Sequence, residues 1–95
     1  MSYGSPTTAS LPLTATTAAP LTHPADFPKH AIVTIANSSG STVYHGGKGV
    51  TSGSGKSLAS GNSTSYGNHS TDDPAYVVTA SGTAVVQVTF TYPVW

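Results

Sequence analysis

Thr42–Gln87 reads TVYHGGKGVTSGSGKSLASGNSTSYGNHSTDDPAYVVTASGTAVVQ, short apolar pulses separated at regular intervals by glycine and serine. Small, tightly turned β-sheet domains need this spacing, because glycine supplies backbone angles that a residue with a Cβ resists. Downstream, Tyr76, Val78 and Ala80 alternate with Val77 and Thr79, and Ser81-Gly82 predicts a two-residue hairpin connection. The strand that follows places Ala84, Val86, Val88, Phe90 and Tyr92 on one face and Val85, Gln87, Thr89 and Thr91 on the other, and Pro93 closes it before Val94 and Trp95. Upstream, His30–Ala36 is a β-branched run with Ala31, Val33 and Ile35 on one face. The turn Asn37-Ser-Ser-Gly40 ends it and predicts a hairpin return through Ser41–His45. A short segment around Leu58 and another from Ser63 to Tyr66 complete about six strands, with Gly67–Pro74 read as a polar loop. No helix pattern intervenes. The expectation is an all-β fold, a small β-sandwich or barrel spanning 29–95.

Residues 1–28 differ in composition. Pro6, Pro12, Pro20, Pro24 and Pro28 punctuate a Thr- and Ala-rich stretch, so neither a helix nor a long ladder is expected there. The segment reads as an extended N-terminal arm. Leu11, Leu13, Leu21 and Phe27 are spaced singly along it, as anchors for pockets on another surface would be, and a flexible linker is the alternative.

The 95 residues hold three lysines, no arginine and three aspartates, and no cysteine. The positive footprint of a nucleic-acid binder is missing, and disulfides and thiolate metal sites are excluded. Formal neutrality leaves little charge to oppose association with another surface or another copy. No window approaches the roughly 20 apolar residues of a membrane-spanning helix. Met1–Ala19 lacks the basic and apolar regions of a secretory leader, which leads to the expectation of a chain made in the cytoplasm.

The succession Val43-Tyr-His-Gly-Gly47, Gly49-Val-Thr51, Gly55-Lys-Ser-Leu58 and Ala59-Ser-Gly61, followed by Ala75-Tyr-Val-Val-Thr-Ala-Ser-Gly-Thr-Ala-Val-Val-Gln-Val88, resembles a recurrent pattern in small structural proteins of tailed-phage virions. The resemblance covers roughly the C-terminal half of the chain. It implies a virion-attached β domain without catalytic activity or cofactor, most concretely a capsid decoration protein on the head surface. Its partner would be the major capsid protein, with neighbouring copies in contact. Under that expectation Leu11, Leu13, Leu21 and Phe27 of the arm, with Val94 and Trp95 at the C-terminus, carry the binding. A tail or vertex location is the near alternative.

Other motifs point elsewhere. Gly55-Lys56-Ser57 has the ending of a phosphate-binding loop, but Val50 stands where the first glycine belongs and no helix is expected after it, so it reads as a turn. The sequons at Asn37, Asn62 and Asn68 lack a secretory context and read as turn chemistry. His23, His30, His45 and His69 show no paired spacing. His69 with Asp72 and Asp73 is the one cluster with the residue types for a metal site or a base and its orienting acid, and a solvated loop is the plainer reading. Tyr44, Tyr66, Tyr76, Tyr92 and Trp95 support a rival function, a carbohydrate-binding module in which exposed rings stack on sugars and the Asn68–Asp73 loop takes their hydroxyls. Against this, Tyr76 and Tyr92 are expected to fill the core and Tyr44 to pack at an edge.

Overall fold

Alternation governs both central strands. Ala31, Val33 and Ile35 are fully buried while Ile32, Thr34 and Ala36 are half-buried on the opposite face, and Ala84, Val86, Val88 and Phe90 are buried in the same manner. The computed structural model describes residues 7–23, 25 and 27–91. Its strands are β1 (Thr7–Thr14), β2 (Ala19–Pro20), β3 (His30–Ala36), β4 (Val43–Gly46), β5 (Lys56–Leu58), β6 (Ser63–Ser70), β7 (Tyr76–Thr79) and β8 (Thr83–Thr91). They form two antiparallel four-stranded sheets, ordered β1-β8-β3-β6 and β2-β7-β4-β5, with no helix among the described residues. The inner faces enclose a core of Leu13, Leu21, Val33, Ile35, Val43, Leu58, Ala75, Val77, Ala84, Val86, Val88 and Phe90. The fold is a β-sandwich.

The N-terminal segment is extended from Thr7, as expected, but it is built into the sandwich. β1 runs antiparallel along all but the last residue of β8, from Thr7 opposite Phe90 to Thr14 opposite Thr83. β2 adds to the other sheet beside β7. Leu13 and Leu21 are each only 1% exposed, in the chain's own core, and Leu11 and Phe27 pack against it half-buried. A boundary at residue 28 therefore does not separate an arm from a domain. Pro12 and Pro20 fit because β1 and β2 are edge strands, where a missing N–H costs no ladder bond on the outer side.

Both expected hairpins are instead crossings between sheets. β3 lies in the first sheet and β4 in the second, and β7 and β8 are divided in the same way. The reason is occupancy: β3 is already paired with β6 and β8, and β8 with β1 and β3, so neither has a free side for its sequence neighbour. At the first crossing the fully buried Asn37 takes over what a hairpin ladder would have satisfied. Its amide donates to the carbonyls of Ser41 (2.7 Å) and Leu58 (2.8 Å), and its Oδ1 accepts from the Ser39 amide (3.1 Å) and hydroxyl (2.7 Å). Gly40, at φ +86°, completes the corner in a conformation side chains with a Cβ resist.

Gly67–Ser70, expected as loop, is the second half of β6. Between the pairs Ala31–His69 and Val33–Tyr66, β6 advances three residues while β3 advances two, so β6 carries a bulge at Gly67-Asn68. Tyr76 is half-buried on the phase opposite to Val77, outside the core, and Tyr44 sits on β4 between two paired strands. Tyr92, Val94 and Trp95 lie outside the described residues.

The topology also segregates charge. Lys29, Lys48, Lys56, Asp72 and Asp73 all fall at the end of the sandwich where β3 and β5 begin and β4 and β6 finish. At the other end, the connections 15–18, 37–42, 59–62 and 80–82 contain no charged residue.

Candidate functional site

The charged end holds a histidine relay beneath a cleft. The β6 bulge shifts the side-chain phase by one, so that Tyr66 and His69 both turn inward while Asn68 is exposed. His23 follows Leu21, whose amide donates to the Ala75 carbonyl at 2.9 Å and seats the β2–β3 connection against β7. His23 and His69 are buried, and His23 Nε2 lies 2.7 Å from His69 Nδ1.

The two outer partners decide where the protons sit. The Ala75 amide can only donate, and it donates to His69 Nε2 at 3.0 Å. The Pro28 carbonyl can only accept, and it lies 3.0 Å from His23 Nδ1. Both imidazoles are therefore neutral Nδ1–H tautomers: Ala75 N–H donates to His69, His69 Nδ1–H donates to His23 Nε2, and His23 Nδ1–H donates to Pro28. A further proton on either ring would set two donors face to face. Burial first, then the neighbouring His23, holds His69 below its ordinary 6.5, and Asp73 opposes weakly.

A second pair adjoins the first. His45 Nδ1 of β4 lies 2.5 Å from the Tyr66 hydroxyl, joining the two sheets. Burial, then Lys56, lowers the His45 pKa, and burial raises that of Tyr66, so both are neutral near pH 7. The rings continue as edge contacts from His45 to Tyr66 (5.6 Å), Tyr66 to His69 (6.0 Å), His23 to Phe90 (5.5 Å) and Phe27 to Phe90 (6.1 Å). At Tyr66 and His69 opens a cleft of about 430 Å³, whose lining also includes Gly46, Gly47, Asn68, Ser70 and Asp73.

The residues singled out from sequence divide. Of the His69, Asp72 and Asp73 cluster, Asp72 forms an exposed ion pair with Lys29 (3.0 Å), and both His69 nitrogens are already hydrogen-bonded. Among the described residues no group of three or more metal-ligating side chains converges, and no serine or threonine hydroxyl is hydrogen-bonded to an imidazole nitrogen. Leu13 and Leu21 are core, Leu11 and Leu21 border a smaller cleft of about 180 Å³ beside Phe90, and Phe27 packs on Phe90. Val94 and Trp95 are outside the described residues. Asn37 is too buried to accept a glycan in the folded chain, whereas Asn62 and Asn68 are exposed. Gly55-Lys56-Ser57 enters strand β5, with no helix after it. The pairings of His23 with His69 and of His45 with Tyr66 join residues 46 and 21 positions apart, and no local spacing announces them. Compared with known protein families and with curated proteins, the chain matches none.

Proposed function

We propose that this chain is a virion structural protein, a capsid decoration protein that binds the outer shell of a phage head and bridges neighbouring major capsid subunits. The observation that carries the reading is the segregation of charge. Among the described residues one end of the sandwich carries no charged side chain, and neither does the outer face of the β1-β8-β3-β6 sheet, where Thr8, Thr89, Thr34 and Ser65 form a single row across all four strands. Hydroxyls in that row bond one another, Thr8 with Thr89 at 3.0 Å and Thr34 with Ser65 at 2.9 Å. Such a face can adhere by shape-complementary, largely uncharged contacts at modest desolvation cost, because hydroxyls in the row already bond one another.

With the core claiming Leu13 and Leu21, the binding surface in this reading is the sheet face and the uncharged end, while the charged end with its cleft points to solution. The test is re-addition of purified protein to shells stripped of it, followed by co-sedimentation. Thr34→Lys and Thr89→Lys, both on the outer face, are expected to abolish binding, and Lys48→Ala, at the far end, to preserve it. Undiminished binding of both lysine variants would exclude this face. Binding at only a few sites per particle would favour a tail or vertex role instead.

A further inference from the structure

The cleft at the charged end is built for a ligand, and we propose that it binds a neutral saccharide ring. Tyr66 supplies a half-buried aromatic surface fixed before any ligand arrives, with its hydroxyl tied to His45 and its ring edged by His45 and His69. Gly46 and Gly47 line the cleft without side chains, and a Cβ placed on Gly47 would meet nothing within 4 Å, so the backbone there is open to a ligand. The rim carries two groups without a protein hydrogen bond, the Asn68 carboxamide, thrown outward by the bulge, and the Asp73 carboxylate. Asp73 is held in place by its bridge to Ser70, with its amide donating to the Ser70 carbonyl at 3.3 Å.

These parts match a pyranose on each of its sides. The C–H face of the ring needs an apolar aromatic surface, adjacent hydroxyls need a carboxylate that accepts two bonds, and a further hydroxyl needs an amide that both donates and accepts. The volume falls within the usual range of roughly 300–1,000 Å³ for small-molecule sites. Charge narrows the class further. Among the described residues that line the cleft Asp73 is the only charged side chain, which disfavours phosphate, sulfate and acidic sugars. The site stands independently of attachment to any particle.

The experiment is a ¹H–¹⁵N NMR titration of the full chain with methyl glycosides of glucose, galactose, mannose and N-acetylglucosamine, with sialic acid and choline as the anionic and cationic probes. Saturable shifts at Gly46, Gly47, Asn68 and Ala75 with at least one neutral glycoside, weakened about tenfold or more in Asn68→Ala and in Asp73→Ala, are expected from the loss of hydrogen bonds to a charged or amide partner. Both positions are exposed, so the variants keep the wild-type spectrum elsewhere. The proposal is overturned by the absence of saturable shifts with every neutral glycoside, by shifts centred outside the cleft, or by a response to choline alone.

Discussion

Acid should destabilise this sandwich through its buried imidazoles, and the direction and size of the effect follow from the relay. His69 faces His23, Tyr66 and Asp73, and His45 faces Tyr66 and Lys56. Both His69 and His45 have pKa values lowered from 6.5 by folding, so below pH 6.5 the unfolded chain binds protons that the folded chain refuses. The stabilisation is complete above pH 6.5 and declines as pH falls from there toward the lowered folded values, below which no more is lost. Each proton taken up on unfolding changes stability by about 1.4 kcal/mol per pH unit, so two histidines set a ceiling of about 2.7 kcal/mol per pH unit, with about half of that at pH 6.5, where the unfolded imidazoles are half protonated. Against the roughly 5–15 kcal/mol of a small domain this is a large effect. Urea denaturation midpoints at half-unit intervals from pH 7.5 to 4.5 measure it, and His45→Gln, which leaves the relay intact, should reduce the slope by about half. Stability that is flat or rising between pH 6.5 and 5 would refute the reasoning, as would ¹⁵N shifts placing the His69 proton on Nε2.

Three further outcomes are expected. Thr79 Oγ1 is buried with no hydrogen-bond partner, so Thr79→Val, which keeps the shape and removes the orphaned hydroxyl, should raise the unfolding free energy by about 1 kcal/mol; a loss of stability would mean the hydroxyl is satisfied. A Cβ on Gly55 would lie 2.7 Å from Val50 Cγ2, 2.9 Å from Tyr44 Cβ and 3.1 Å from the Thr51 carbonyl, so Gly55→Ala should cost about 1–3 kcal/mol by thermal melting, whereas Gly47→Ala should cost far less. Deleting residues 1–28 removes β1, β2, Leu13, Leu21 and His23 together, and circular dichroism with NMR should find no folded remainder; a cooperative, well-dispersed truncated domain would show that the core does not depend on them.

Legibility of the fold varied with the range of the interaction involved. The faces of β3 and β8 are plain in sequence because strand periodicity is local and one face is buried. The turns at Asn37–Gly40 and Ser81-Gly82 were equally plain, yet a glycine-bearing turn looks the same whether the chain folds back beside itself or crosses to the facing sheet. What decides between them is β1, 69 or more positions away from its partners on β8, which occupies the side a β7–β8 hairpin would need. β1 itself was hidden by Pro12 and by threonine and alanine, although Leu11 and Leu13 keep the two-residue period around that proline. The histidine site was least visible. His69 reads as a loop residue until the Gly67-Asn68 bulge is seen, and only that one-residue change of phase turns it inward to meet His23. Tyr66, Asn68 and Asp73 were recognisable as sugar-binding residue types, but their gathering round one cleft depends on the same bulge.

The decoration reading is tested most directly by counting and locating this chain on particles, by quantitative mass spectrometry and electron microscopy of the same preparation. The account predicts a copy number comparable to that of the major shell subunit, spread over the shell, with the uncharged end and the Thr8–Thr89–Thr34–Ser65 face against it. A chain absent from particles, or one bound through its charged end, would contradict it.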